Sequence, residues 1–501
     1  MVERRSPKPN AGGSSPSTPA RGSLLAGLVL SLLAALPFAF AVHPQMADYP
    51  SHLARYHVML DGGQSPFLAK YYSFDWALRG NLGVDLLMVP LGHLLGVENA
   101  AWLIALLLPI LVALGIMAVE WTLRRRIGVG ALLALATVWS PSMVMGFANF
   151  NLALALVLFA FALWVKLEAR PWRAMLFVPT GVLIWICHSA GWGVLGIMMF
   201  GYEWHRRGSW RALVARSWRA LLAPWPLYPP FMLVALESRE GDTFQYGSNP
   251  LHFKLGIWIK ALSETRTMLD LASVLLLVAA IVIALVKRRI DGRLGWAALV
   301  VALLTLAIPR HLGGGDLADG RLVAIALMLG CLAIDARQPR WLMWLVPTLF
   351  LVRLAVTCAD WREQSMILEN ALPALEKVHQ GARIAAAIPF DPLRSGSTPL
   401  SHAGSYATLY RDALVNTHFA LPGVHMLTVK GLGAYFIDPS QRVAARPGEP
   451  VDLRNFPPAA HADYLWYVGE NPVGSLPPGA TELYRAPGTL MLQLAKPEAG
   501  R

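Results

Sequence analysis

The chain of 501 residues reads as a polytopic α-helical membrane protein with a small α/β domain outside the membrane at its C-terminal end. Three observations predict this. Apolar residues make up 55% of the chain and charged residues 15%, with a mean hydropathy of +0.46, which is too apolar for a soluble chain of this length. The basic residues fall in short clusters between apolar segments: Arg124 to Arg126, Lys166 to Arg173, His205 to Arg219, Lys287 to Arg289, and Arg337 to Arg340. After Cys358 the composition turns rich in Pro and Gly, with only short apolar runs. The net charge of +12 is therefore topological, with the clusters holding one side of each span in the cytoplasm. No basic groove interleaved with aromatics is visible, so nucleic acid is not expected as a partner.

Residues 1–22, rich in Ser, Pro, Gly and Arg, are expected to be a disordered cytoplasmic tail. Apolar segments then run over 23–42, 100–122, 129–146, 150–166, 174–187, 189–204, 220–236, 268–286, 294–309, 321–336 and 341–358. Judged by length and flanking charge, these give about eleven spans, with every basic cluster on the cytoplasmic side. Ala39-Phe40-Ala41 has the form of a signal-peptidase site, but the segment before it is long for a signal and further spans follow. The 23–358 membrane domain thus carries a large first external loop, 43–99. Within it, "LGVDLLMVPLGHLL" (Leu82 to Leu95) is apolar but holds Asp85, Pro90 and His93, and is expected to lie on the outer leaflet as an interfacial helix. Residues 359–501 form the external domain. "SMILENALPALEKVHQ" (Ser365 to Gln380) reads as a helix, and "RIAAAIPF", "YLWYVG" and "TLMLQLA" read as strands. Cys187, Cys331 and Cys358 sit in or beside apolar spans without metal-ligand spacing and are expected to be buried thiols. No internal repeat is visible.

The polar residues at the outer ends of the spans are the candidates for chemistry. "DYPSHLARYH" opens the first external loop. A helix starting there puts Asp48 and His52 on one face, with Pro50 in the first turn. Asp48 then has two readings: an N-cap with no other duty, or a general base at the membrane surface, with His52 or Arg55 facing a substrate phosphate. Asp48, His52 and His57 leave a divalent cation possible but not favoured, because no fourth ligand is evident. "GFANFN" places Asn149 and Asn151 at a turn between spans, either satisfying the turn's backbone or lining a site. "CHSAGWG" puts His188 at the same face. "PRHLGGGDLADGR" gathers Arg310, His311, Asp316, Asp319 and Arg321 beside flexible glycines, the means by which backbone approaches a phosphate and arginine pairs with it. A plain solvated loop is the other reading of that segment.

These motifs, in this order, resemble the GT-C superfamily of membrane glycosyltransferases. The likeness runs from the acid-first loop "DYPSHLARYH" through the helix "VDLLMVPLGHLLGV" and the span "AWLIALLLPILVALGIMAVEWTLRRR" to the turn "SPSMVMGFANFNLALAL", with an external domain after the last span. The chain is also similar to bacterial membrane proteins with an Asp-x-Pro-x-His opening. The resemblance implies a polyprenyl-phosphate-linked sugar as donor and a glycan, lipid or protein as acceptor. It implies inverting transfer on the outer face of the bacterial cytoplasmic membrane, with Asp48 as base. Many members carry a second acid near the third-to-fourth span turn. Here that turn offers Asn149 and Asn151, which favours a metal-independent reaction. A transporter or flippase of lipid-linked saccharides should instead show repeats or charges in mid-span, and Arg353 alone stands out there. A non-catalytic envelope assembly protein has no need of the acid-first loop.

Overall fold

The computed structural model describes residues 18–207, 213–236, 244–247, 249–263, 266–312, 315–336, 340–392, 398–421, 424–431 and 436–495. The expected tail lies outside the described residues as far as residue 17, and its last residues instead open the first helix, α1 (Thr18–Leu33). That segment is interrupted before Pro37, whose missing N–H ends the helix, and a 3-10 turn follows over Leu36–Ala39. The first loop then folds as α2 (Tyr49–Asp61), α3 (Pro66–Tyr71), β1 (Tyr72–Phe74) and α4 (Gly83–Leu95). α4 buries Val84, Asp85 and Met88 and leaves Leu86, Leu87, Leu94 and Leu95 exposed, so its outer face is apolar.

α5 (Val97–Arg124) ends in Arg124, which pairs with Glu120, Asp291 and Asp335. The span expected over 129–146 is not one helix. It divides into α6 (Val129–Ala134), a 3-10 turn at Leu135–Thr137 and α7 (Pro141–Val144). Pro141 holds Ser140 in the extended region (φ −80°, ψ 169°), which no helix can pass through. α8 (Ala148–Lys166), α9 (Arg173–Cys187), α10 (Ser189–Arg206) and α11 (Leu213–Leu222) follow. The segment 220–236 also departs from expectation, because Pro224, Pro226, Pro229 and Pro230 break it into the end of α11, a 3-10 turn and α12 (Pro230–Leu236). The remaining helices before the sheet are α13 (Pro250–Ile259), α14 (Thr267–Val286), α15 (Gly292–Ala307), α16 (Gly320–Leu332), α17 (Arg340–Leu345) and α18 (Pro347–Ala371). No separate helix starts at Ser365. α18 runs on through that segment and continues as a 3-10 turn to Lys377.

Among the described residues, four helices are long and apolar enough to cross a membrane: Val97–Arg124, Ala148–Lys166, Thr267–Val286 and Met343–Lys377. Shorter apolar helices accompany them, including Gly22–Leu33, Gly292–Ala307 and Gly320–Leu332. The bundle core is formed where α5 meets α8 and where α15 packs between α10 and α16. α14 leaves Leu275, Leu276, Val282, Ile283 and Leu285 bare, the surface a lipid-facing helix carries. Arg353, the mid-span charge, is buried against Asp270 at 2.8 Å and the Leu262 carbonyl at 2.8 Å. The three cysteines are buried and free.

The C-terminal region is built on β2 (Arg383–Phe390), with α19 (Tyr406–Arg411), β3 (Leu414–Val415), β4 (Leu427–Val429), β5 (Arg442–Ala444), β6 (Tyr464–Val468), β7 (Thr481–Ala486) and β8 (Thr489–Gln493). The order is β3-β2-β6-β8-β7, with β3 and β6 parallel to β2, and β8 antiparallel to both β6 and β7. β5 joins the far end of β2 in parallel. β6, at the centre of the sheet, is buried on both faces, which is why it reads as an unbroken apolar run. Ile384, Ala386, Ile388 and Trp466 face the core shared with the helical bundle. Ala385, Ala387, Leu465 and Tyr467 face a second core with Val58, Leu68, Tyr71 and Tyr72 of the first loop. β1 pairs antiparallel with β4, and the Tyr72 hydroxyl donates to the Ala413 carbonyl at 2.9 Å. The first loop and the C-terminal sheet therefore form one packed unit.

Candidate active site

Asp48 lies where three segments meet: the start of α2, the turn between α7 and α8, and the C-terminal region. Its backbone N–H donates to the Met145 carbonyl at 2.9 Å, and that of Ala47 to the Val144 carbonyl at 3.2 Å. Gly146 makes this approach possible. It sits at φ +81°, and a Cβ there would stand 3.2 Å from the Met46 Cβ and 3.5 Å from the Asp48 nitrogen. Asp48 occupies the N-cap position of α2, yet its side chain makes no cap hydrogen bond, so the plain capping reading fails on geometry. The carboxyl is 10% exposed and has His402 Nε2 3.7 Å from Oδ1. Burial pushes its pKa up to about 8, helped by Asp438 and opposed by Arg321 and Arg442.

Arg321, in the first turn of α16, is close enough to Asp48 for their charges to interact. Its guanidinium covers the Phe147 ring at 4.1 Å, and Nη2 donates to the Asp316 carbonyl at 3.1 Å. Nη1 stands 3.0 Å from His188 Nε2, while Nε is buried without a hydrogen-bond partner. His188 caps α10 by accepting from the Ala190 N–H at 3.1 Å. Arg321 borders a small cavity whose polar wall is Thr137, Ser140, Ser142 and Asn151. A second cavity, on the other side of α2, is lined by Met46, Tyr49, His52 and Tyr56 against α5.

The other sequence candidates are divided between this junction and local duties. His52 is one turn beyond Asp48, with Arg55 Nη2 3.4 Å from its Nδ1. Arg55 itself is ion-paired with the buried Asp85. Asn149 donates to Asp85 at 3.1 Å and to the Asn81 carbonyl at 2.8 Å, so Arg55, Asp85 and Asn149 bind α2, α4 and α8 together. Asn151 donates to the Ser142 carbonyl at 2.9 Å. Arg310 forms a two-pronged pair with Asp316 at 2.8 and 2.9 Å, and His311 stands 3.4 Å from the same carboxylate. Asp319 accepts from the Gly320 N–H at 2.8 Å and pairs with the buried Lys254. His57 is engaged 3.0 Å from Asp412. Among the described residues, no three His, Cys, Asp or Glu side chains are grouped to hold a metal ion.

Sequence reasoning missed the C-terminal side of the site. His402 packs on Phe419 with ring centroids 4.6 Å apart, and Phe419 also neighbours His52 at 6.2 Å and His425 at 5.8 Å. His418 Nε2 stands 2.8 Å from the Thr408 hydroxyl. Asp438 accepts from Gln441 at 2.7 Å and lies 3.7 Å from Arg442. Burial lowers the pKa of His52, His402, His418 and His425, the last two to about 3 and about 4, so these imidazoles are neutral at physiological pH. The one signal in the sequence was the run of histidines at 402, 418 and 425 in a region otherwise given over to strands. The assembled groups are a proton acceptor titrating near neutrality, a cation beside it and a shell of neutral rings.

Two solved structures are similar to this chain. ArnT from Cupriavidus metallidurans in the apo state is 14% identical with a TM-score of 0.39, covering 71% of this chain and 70% of that one. ArnT from Cupriavidus metallidurans bound to undecaprenyl phosphate is 14% identical with a TM-score of 0.47, covering 94% of this chain and 98% of that one. No protein-family model matches the chain, and no curated protein matches it.

Proposed function

We propose that the chain is an inverting glycosyltransferase. It moves a sugar from a polyprenyl-phosphate donor to an acceptor hydroxyl on the outer face of the cytoplasmic membrane, with Asp48 as general base. The observation that carries the reading is the Asp48 carboxyl: buried, free of any capping bond, and titrating near pH 8 beside Arg321. A structural carboxylate in such a place is normally bonded or paired; one held near neutrality suits proton transfer.

The chemistry follows from these groups. Asp48 takes the proton of the acceptor hydroxyl, and the freed oxygen pair forms the bond to the anomeric carbon. The sugar–phosphate bond breaks on the opposite face, and its electron pair leaves on the polyprenyl phosphate. A phosphate is already a good leaving group, so no general acid is needed. Arg321 offsets the charge that gathers there. The exposed leucines of α4 give it an apolar outer face suited to lipid.

The test is sugar transfer from a polyprenyl-phosphate-linked donor by purified protein. Asp48→Asn is nearly isosteric but cannot accept a proton, and should lower the rate by about 100- to 10,000-fold with the protein intact in the membrane. Near-normal transfer by this variant would remove Asp48 as the base.

A further inference from the structure

The C-terminal region contributes a group that the reading of Asp48 as base leaves unused. His402 is 1% exposed and sits directly against Asp48. Its Nδ1 is 2.7 Å from the Thr417 carbonyl oxygen. A carbonyl can only accept, so Nδ1 carries the hydrogen. Desolvation keeps the ring neutral, with Asp438 and the Thr417 backbone opposing that effect and Arg442 adding to it. Nε2 is then a bare lone pair, aimed at Asp48 Oδ1 across 3.7 Å. That gap is too long for a hydrogen bond. A proton on Asp48 turns the same contact into a donor–acceptor pair.

We propose that His402 is a positioning residue for Asp48, accepting the hydrogen bond of the Asp48 carboxyl once that carboxyl has taken the acceptor's proton. The inference rests on the reading of Asp48 as base. The proton leaves the acceptor hydroxyl, binds one Asp48 oxygen and is held in an O–H···Nε2 bond. The other bond changes are those of the transfer itself, and no further reactant is needed. The arrangement stabilises the protonated acid that forms as the sugar moves and orients the carboxyl oxygen that takes the proton. The charged and titratable groups around His402 are Asp48 and His52 from α2, His418 from the segment after β3, and Asp438 and Arg442 at and before β5. Arg321 of α16 interacts electrostatically with Asp48. Of the imidazoles nearby, His402 has its lone pair on Asp48.

The experiment compares full-length wild type, His402→Asn and His402→Gln in detergent, measuring transfer between about pH 6 and pH 9. Asparagine retains an N–H for the Thr417 carbonyl but has nothing at the Nε2 position. The midpoint of its rate–pH profile should move acidward by about one pH unit or more, and its limiting rate should fall about tenfold, with donor KM unchanged. Glutamine returns an acceptor oxygen near Nε2 and should bring the midpoint part of the way back. A midpoint that stays in place in folded His402→Asn overturns the proposal while leaving Asp48 as base. If neither variant folds, infrared difference spectra of wild type across the same pH range decide. The Asp48 carbonyl stretch, assigned by its loss in Asp48→Asn, supports the proposal at the frequency of a strongly hydrogen-bonded acid and overturns it at that of a free one. Full activity of Asp48→Asn would sink the base reading itself, so the two failures are distinct.

Discussion

Replacing Asp48 with Asn should make the protein more stable as the pH rises, and the size of the gain follows from where the carboxyl sits. Burial lifts its pKa from 3.8 to about 8. The folded state therefore keeps its proton across a range in which the unfolded chain has released it. By linkage, the stability this group confers is fully present below pH 3.8 and is lost as the pH rises towards 8. Each pH unit costs about 1.36 kcal/mol for one group, so the whole interval is worth on the order of 5 kcal/mol as an upper bound. Asparagine does not ionise and carries no such loss. The assay is thermal unfolding of both proteins in detergent across the interval. The buried histidines have lowered pKa values, so they destabilise the fold only as the pH falls through and below the ordinary imidazole value of 6.5. Above that pH they are neutral in both proteins, so the difference there reads Asp48 alone. Wild-type transfer should climb over the same interval and level off above pH 8, where Asp48 is ionised. Two melting curves that stay parallel with pH would mean Asp48 has an ordinary carboxylate pKa, and the argument for a near-neutral base would fail.

Arg321→Ala should weaken donor binding by about 10- to 100-fold, the loss expected for a charged hydrogen-bonding partner of phosphate, with the melting temperature little changed. Unaltered binding of polyprenyl phosphate to the purified variant would take Arg321 out of the site. Gly146→Ala should destabilise by about 1–2 kcal/mol for the left-handed backbone alone, and should cost activity as well because the new Cβ would crowd the Met46 Cβ at 3.2 Å, just before Asp48. A melting temperature and rate equal to wild type would show that this approach is not tight. A reporter active only in the periplasm, fused after Arg501, should give signal; activity of a cytoplasmic reporter at the same point would reverse the loop assignments.

Much of the helical part was legible because long apolar segments and basic clusters report their placement locally. Asp48 was legible too, since an acid and a proline opening a loop after a span stand out. Other features depend on contacts the sequence cannot display. Prolines at 141 and 224–230 mark breaks, but membrane helices tolerate proline, as Pro109 inside α5 and Pro179 inside α9 show. The continuity of α18 past Cys358 was hidden because its end is polar and resembles a new surface helix. His402 was hidden for a different reason. A histidine between a short 3-10 turn and a strand has no pattern of its own, and it gains meaning only from a carboxylate brought in by another part of the chain. Arg55 and Asn149 read as ligands of a substrate, whereas here each is tied to Asp85.

The pairing of the first loop with the C-terminal sheet sets an order on biogenesis. His57 and Asp412 touch although 355 residues separate them. At roughly 5–20 residues per second, the ribosome needs about 20 to 70 s to supply the second partner after the first. Throughout that interval Leu68, Tyr71 and Tyr72 have no sheet to cover them, and the surface nearest to hand is the bilayer. A nascent chain stopped anywhere before residue 402 holds Asp48 without His402, Phe419 or Asp438. On the proposed function, truncated products, however well inserted, are therefore expected to be inert, because the shell around Asp48 is assembled only when the C-terminal region has been made.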